Sequence, residues 1–361
     1  ADKLGMDPVE IRMRNLLQEG SLLSVRSPMP PGVSLPEVVE RCASESGWIK
    51  IDGKWHHPEL RKDLGNGRVR GMGFACSYKN VGFSFGAPES CWATIKIEGG
   101  SEIEKVILYH AGAEVGQGSH TVFVQMAAEA VGVSIDKIEL VASDTSTSDS
   151  SGSVSASRMT FMAGNAILGA GKIALEKWKN GERPAIGKFQ YKPVPTTRFK
   201  EETGECIPNF AYGYAAESVE TEVDLETGEV FVRKVTCVDD VGKAINPKLV
   251  RGQVEGAIVQ AAGYGLLENF IQENGYVKTN QLSSYLIPTV QDIPDEINTI
   301  LIEHPDPRGP WGARGVGEMP YIPLVPAISA AIHAATGVWM NHFPMTPQKV
   351  LESLGGIDPV D

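Results

Sequence analysis

The stretch Pro310-Trp311-Gly312-Ala313-Arg314-Gly315-Val316-Gly317-Glu318-Met319-Pro320 narrows what this chain can fold into more than any other segment. Glycine tolerates positive φ and lets backbone come close to another group. Proline fixes φ and stiffens both flanks. Closely spaced glycines between two prolines therefore predict a rigid loop that presents Glu318 at a defined place. A carboxylate held in that way acts as a general base where its pKa and geometry suit. The alternative is a tight turn in which Glu318 caps a helix that follows near Leu324.

Such a loop needs a stiff frame, and 361 residues are enough for two or three domains at about 150 residues each. Asp7-Pro8-Val9-Glu10 reads as a helix start, with Asp7 as N-cap and Pro8 at the first helical position. A second helix is expected near Leu35–Ser46, and 48–70 reads as polar and irregular. Gly71–Lys79, Cys91–Glu98, Ile103–His110 and Ile138–Ala142 carry strand patterns. Gln117–Val131 and Gly164–Trp178 carry the helical period. Asn180–Pro208 reads as a boundary or a long surface excursion. Beyond it, Ala211–Val223 and Glu229–Val241 are strands joined at Glu226-Thr227-Gly228. Asn246-Pro247 opens a long helix to about Leu267, then come a strand at Thr299–Glu303, an Ala-rich helix at Val325–Thr336 and a last helix at Pro347–Leu354. No fixed-period repeat is visible. Helices mixed with antiparallel hairpins predict an α+β fold of mixed sheets with packed helices.

Charge and cysteine usage remove several classes of function. A net charge of -12 argues against a nucleic-acid surface and suits a soluble, cytoplasmic protein. Cys42, Cys76, Cys91, Cys206 and Cys237 are scattered and never form a C-x-x-C pair. That argues against a disulfide framework, a zinc site or an iron–sulfur cluster in this chain. No apolar run is long enough to span a membrane, and no signal peptide is visible. The chain has no initiator Met and opens almost directly on a helix, so the expectation is a processed product or the later part of something larger.

Four further stretches carry chemistry or imitate it. Gly116-Gln117-Gly118 lies where a strand hands over to a helix. It is either a cofactor loop, with free amides and the helix dipole aimed at an anion, or a plain tight turn. The run from Asp144 to Arg158, rich in Ser, Thr, Asp and Gly, is either a flexible linker or a loop wrapped round a polar ligand. Phe83 and Phe85 sit in a glycine-flanked turn and serve as a core plug or as a stacking surface. Asp239-Asp240 reads as a cap on the turn into Gly242 rather than as a reacting pair. His110 and His120 flank the Gly116–Gly118 loop, but no histidine pair has the spacing of a metal site. No metal ligand is expected from the side chains.

Together these motifs, in this order, resemble the molybdopterin-binding subunit of the xanthine dehydrogenase (molybdenum hydroxylase) family. The resemblance begins at Leu4-Gly5-Met6-Asp7-Pro8 and runs through Gly116-Gln117-Gly118, Asp144-Thr145 and Ser155-Ala156-Ser157-Arg158. It continues through Val223-Asp224, Thr227-Gly228-Glu229-Val230, Asn246-Pro247 and Gly252-Gln253-Val254-Glu255-Gly256. It closes with Tyr285-Leu286-Ile287-Pro288-Thr289, Gly315-Val316-Gly317-Glu318, Pro347 and Val350.

The resemblance implies Glu318 as the catalytic base beside molybdenum. It implies cofactor contacts from Gly116, Gln117 and Gly118, from the amides of Ser155, Ala156, Ser157 and Arg158, and from Gln253, Gly315 and Gly317. Phe85 matches an aromatic that walls the substrate pocket. The metal is held by the pterin dithiolene, which suits the missing ligand set. The implied cofactor is a molybdopterin, extended to the cytosine dinucleotide as is common in bacteria. The implied reaction hydroxylates an electron-poor sp² carbon of an N-heterocycle, purine or aldehyde with oxygen from water. Electrons leave through Fe–S clusters and FAD on partner chains. A base in a dry pocket is expected to have a raised pKa.

The match starts downstream of the family's first cofactor loops. The expectation is the C-terminal half of a split subunit, as in nicotinate dehydrogenase, active only with an N-terminal-half molybdopterin subunit, an Fe–S subunit and an FAD subunit. Within it, 1–65 is expected as a helical segment completing a partner or preceding domain, 66–185 as one cofactor-binding subdomain, and 186–361 as a second that carries the Glu318 loop. A non-catalytic structural or cofactor-loading chain on the same fold is the alternative.

Overall fold

A computed structural model describes residues 1–355. Seven α-helices are found there: α1 (Pro8–Asn15), α2 (Leu35–Glu45), α3 (Ser119–Val131), α4 (Met159–Lys179), α5 (Pro247–Leu266), α6 (Tyr321–Thr336) and α7 (Pro347–Ser353). The strands are β1 (Ile49–Ile51), β2 (Lys54–His56), β3 (Arg61–Gly65), β4 (Arg68–Asn80), β5 (Cys91–Glu98), β6 (Lys105–His110), β7 (Ile138–Ala142), β8 (Ala185–Tyr191), β9 (Tyr212–Asp224), β10 (Val230–Asp240), β11 (Gln272–Glu273), β12 (Tyr276–Val277) and β13 (Glu296–Ile302). The fold is α+β, as expected.

The first layer is a five-stranded sheet in the order β13-β10-β9-β4-β3. Its spine is the β9–β10 hairpin, turned at Asp224, whose Oδ1 accepts hydrogen bonds from the amides of Glu226 and Thr227. β4 pairs along its whole length with β9, from Arg68 opposite Asp224 to Asn80 opposite Tyr212. One face is covered by α2 and the aromatics Trp48, Phe74 and Tyr214. The other face is covered by α5 and α6. α6 lies very close to β4, because a Cβ at Gly73 would fall 2.0 Å from the carbonyl oxygen of Ala327. Glycine in the strand and alanine on the helix together permit that approach.

The second layer is a four-stranded sheet in the order β7-β6-β5-β8, packed against α3 and α4. The same device recurs, with Gly187 of β8 facing Ala170 of α4, where a Cβ would lie 2.0 Å from the carbonyl oxygen.

Two stretches differ from expectation. The polar segment 48–70 contains β1, β2 and β3. The excursion 180–208 contains β8, which completes the second sheet. β8 was hidden because its inward residues, Ala185 and Gly187, are too small to mark a buried face. The sheets also cut across the segments expected as subdomains. β4, inside 66–185, belongs to the first sheet with β9, whereas β8 pairs with β5 near the 185/186 division.

Candidate functional site

The two layers meet at a cavity of about 350 Å³, within the usual size range of small-molecule sites. Gln117, Ser155, Ala156, Ser157, Gln253, Gly315, Gly317 and Glu318 all line it. So do the starts of three helices: Ser119 of α3, Met159 and Thr160 of α4, and Leu249 and Val250 of α5. α6 starts three residues beyond Glu318. Helix N-termini carry partial positive charge and unpaired amides, so their convergence favours an anionic guest.

These helix starts differ in how they are capped. Asn246 caps α5 through the amide of Leu249, 3.1 Å away. Glu114 caps α3, accepting from the amides of Gly116 (2.9 Å), Gly118 (2.9 Å) and His120 (3.0 Å). Burial pushes the Glu114 carboxyl up, but the three amides together outweigh it and leave its pKa below the usual value. The amides of Gly116 and Gly118 are thus already engaged. Gln117 spends part of its side chain on the loop: Oε1 accepts from Val115 N, and Nε2 donates to Ala113 O and Ser119 Oγ. α4 and α6 have no side-chain cap, but of the two only α4 lines the cavity, so its first-turn amides are the ones a ligand there can reach.

The loop ending at Glu318 is fixed from both sides. On one side is Arg314, which is fully buried. Its guanidinium meets Asp240 at 3.2 Å and Asp306 at 3.0 Å, and donates to the carbonyls of Tyr212 (2.9 Å) and Gly32 (2.6 Å). On the other side Met319 is fully buried in the core of the second layer. Glu318 itself stays half exposed and does not cap α6. Its Oε2 accepts from Ser157 Oγ at 2.7 Å and pairs with Lys79 Nζ at 2.8 Å. The main-chain amide of Glu318 donates back to Ser157 Oγ at 3.1 Å. Gly315 is required here, since a Cβ would lie 2.2 Å from the carbonyl oxygen of Ser157. The half-exposed carboxylate with a lysine on it is a wetter setting than the dry pocket expected.

The run from Asp144 to Arg158 is a folded loop. Arg158 is fully buried and does not line the cavity. Its Nε donates to Glu89 (2.7 Å), and the remaining nitrogens donate to the carbonyls of Ser151, Ser153 and Ser90 at 2.7–2.9 Å. Ala156 and Ser157 both take positive φ, 59° and 50°. Such angles cost L-residues about 1–2 kcal/mol each, and the Arg158 anchor offsets that cost.

Phe85 is not a core plug. It has φ 56°, its ring is exposed, and it stacks on Phe199 with centroids 4.7 Å apart. It does not line the cavity, but its turn is tied there by the hydrogen bond from Gly82 N to Ala156 O at 2.9 Å. Burial pushes His110 down to about 4. This neutral ring accepts from Gly112 N and orders the approach to α3. Asp240 does cap the turn, accepting from Gly242 N at 2.9 Å, and it also meets Arg314. Asp239 instead lies buried with no hydrogen-bond partner.

Arg314 and Lys79 escaped the reading of the sequence. Arg314 had a signal, being the lone cation among the glycines of its loop. Lys79 had none, because only the placement of β4 brings it to Glu318.

Among the described residues no group of three or more His, Cys, Asp and Glu is arranged to hold a metal. No helix there is long and apolar enough to cross a membrane. The lining does fit a pterin phosphate held by loops. The uncapped start of α4 faces it, and the position of a Cβ at Gly317 is open, with Ser157 Oγ nearest at 4.0 Å.

Comparison with known proteins gives the same answer. The profile of the molybdopterin cofactor-binding domain family matches residues 41–183 and 178–294. An aldehyde oxidoreductase from Megalodesulfovibrio gigas is 29% identical over 98% of this chain and 39% of its own length. A putative xanthine dehydrogenase molybdenum-binding subunit of Escherichia coli is 29% identical over 98% of this chain and 50% of its own. The crystal structure of the aldehyde oxidoreductase from Desulfovibrio desulfuricans superposes with a TM-score of 0.83 at 29% identity, covering 98% of this chain and 39% of that one. The chain therefore spans 39–50% of the length of these relatives. Those relatives are molybdenum-dependent oxidoreductases, and this chain belongs to the molybdopterin cofactor-binding domain family of the xanthine dehydrogenase type.

Proposed function

We propose that this chain is the molybdopterin-binding part of a molybdenum hydroxylase, with Glu318 as its base. The observation that carries the reading is the cavity in which Glu318, Ser157, Gln117 and Gln253 come together at the uncapped start of α4. When bound, a molybdenum pterin supplies the two-electron oxidant and the site for oxygen derived from water.

The chain supplies the rest. The first-turn amides of α4 and the amides of Gly315 and Gly317 bind the anionic part of the cofactor. Gln117 and Gln253, which both line the cavity, contact its polar edge. Gly116, Gly118 and Arg158 shape the loops and leave direct contact to their neighbours. Glu318 would take at Oε2 the proton of the water-derived hydroxyl that adds to an electron-poor sp² carbon of an N-heterocycle, purine or aldehyde, while the hydrogen that carbon loses would pass with its two electrons to the oxidant. Ser157 holds that oxygen in place, and Lys79 neutralises the carboxylate until the substrate arrives. The Phe85 turn forms the outer rim on the substrate side.

The cofactor is read as the cytosine dinucleotide form. The remaining machinery is an N-terminal-half molybdopterin subunit, an Fe–S subunit and an FAD subunit, in the cytoplasm. One relative, the 6-hydroxypseudooxynicotine dehydrogenase complex subunit gamma of Paenarthrobacter nicotinovorans, is by name part of a complex. Elemental analysis of the assembly purified through this chain tests the reading. About one molybdenum and one cytidine nucleotide per chain is expected. An assembly without molybdenum or pterin refutes it and leaves the non-catalytic alternative.

A further inference from the structure

We propose that the stretch from Leu266 to Ile293 is a docking arm, and that its occupant is the companion half of the molybdenum-binding protein, the part that relatives carry beyond the region matched here. The inference rests on the functional reading above and adds the surface through which the two halves meet.

Not one residue from Leu266 to Ile293 is buried. Yet Phe270, Tyr276, Leu282, Leu286, Ile287 and Val290 stand exposed, Val290 by 81% and Tyr276 by 75%. The only charged residues in the stretch are Glu268, Glu273, Lys278 and Asp292. So many large apolar side chains exposed within one short stretch mark an interaction site, and loss of charge with gain of aromatics is the composition of an interface core.

The arm has a shape of its own. β11 and β12 form a small hairpin turned at Asn274 and Gly275, with φ of 50° and 84°. Lys278 N closes it on Ile271 O at 2.8 Å. Within the arm Tyr285 Oη donates to Glu268 at 2.6 Å. Its far end meets the body: the Pro288 ring packs where a Cβ on Gly263 would fall, and Pro288 to Ile293 share a groove with β10, α5 and α7. A segment that buries nothing of its own gains little by staying apolar unless another surface covers it.

The relatives say what covers it. They match 98% of this chain but only 39–50% of their own length. In each of them at least as much polypeptide again accompanies this fold. The arm also lies away from the cavity. α5 begins at the cavity wall and ends where the arm starts. Its 20 residues span about 30 Å at about 1.5 Å per residue. Docking on the arm therefore leaves the cofactor loops free.

Hydrogen exchange on the assembled enzyme, purified through a tag on this chain, tests the proposal, with the exposed loop 192–205 as internal reference. Amides of 270–293 are expected to exchange at least about tenfold more slowly than that loop, and cross-links from the arm should land on the companion half. The variant Leu282→Asp/Leu286→Asp/Val290→Asp changes only exposed side chains. It is expected to lower the share of assembled protein, or the arm's protection where both halves are one polypeptide, at least about tenfold. Ile135→Asp, exposed elsewhere, should change neither.

An arm that exchanges as fast as 192–205 in the assembly overturns the proposal, as does a variant that assembles normally. Cross-links only to a second copy of this chain, or arm-dependent binding to lipid vesicles, also overturn it by naming another occupant. Molybdenum content in the same samples reports on the functional reading separately. Metal present with an unprotected arm refutes only the docking surface, and metal absent with a protected arm refutes only the functional reading.

Discussion

Two buried arginines do much of the positioning, each holding a different loop. Arg158 holds the loop 143–158 through Glu89 and three carbonyls, and Arg314 holds the Glu318 loop through Asp240 and Asp306. Removing one partner of a buried pair leaves the other charge stranded, at a cost of about 3–5 kcal/mol. Arg158→Met is therefore expected to lower the thermal midpoint and the molybdenum content together, with Glu89→Gln in the same chain recovering part of the stability. Calorimetry on both variants checks this, and equal loss in the single and double variants would deny the pair its role.

Glu217 and Asp239 are a different case. They sit on neighbouring strands β9 and β10, fully buried, and no oxygen of either finds a hydrogen-bond partner among the described residues. Burial pushes both carboxyls well above their usual pKa. A neutral acid in the folded state that ionises on unfolding contributes stability at low pH. That contribution is lost as pH rises from the unfolded pKa toward the folded one, at about 1.4 kcal/mol per pH unit and group. Glu217→Gln is expected to gain stability over the parent chain as pH rises above the unfolded carboxyl range, from about 5 upward. Thermal melts across that range measure it, and a difference independent of pH would mean that Glu217 is ionised in the fold. At this scale the sequence is legible where residue type and spacing have few uses, as with a lone acid behind glycines. It is silent where the partner comes from far along the chain, as Lys79 comes to Glu318.

At the scale of elements, the close approach of helix and strand is built from small residues. α6 rides on β4 only because Gly71 and Gly73 lack a Cβ; at either, it would lie 2.0 Å from a helix carbonyl. Gly73→Ala must push α6 outward and is expected to cost about 1–3 kcal/mol. Gly256→Ala, on the open face of α5 with nothing within 4 Å, is expected to gain about 0.5–1 kcal/mol. Denaturant midpoints of the two variants should move in opposite directions. Most elements can be read in advance, since β5 (Cys91–Glu98) and β7 (Ile138–Ala142) fall where alternation places them. β8 cannot, because its buried face is Ala185 and Gly187, and sheet order cannot either. The pairing of β4 with β9 joins residues more than 130 positions apart, and no local pattern records it.

Across the whole molecule, the division of labour is between two layers and the seam they share. The first layer brings Lys79 from the end of β4 and, by way of α6, the Glu318 loop. The second brings α3, α4 and the loops in front of them. The seam holds the cavity, and the exposed arm past α5 contributes no residue to its lining. The family resemblance gathers the same loops from the sequence. It does not reveal that Glu114 already occupies the amides of Gly116 and Gly118, because that depends on how the turn closes.

The account stands on one carboxylate acting as a base in that seam. Turnover per bound molybdenum of the assembled enzyme carrying Glu318→Gln measures it directly. A fall of about 10²–10⁴-fold, the usual worth of a general base, with metal content unchanged, is the expected result. Near-normal turnover at full metal occupancy would contradict it.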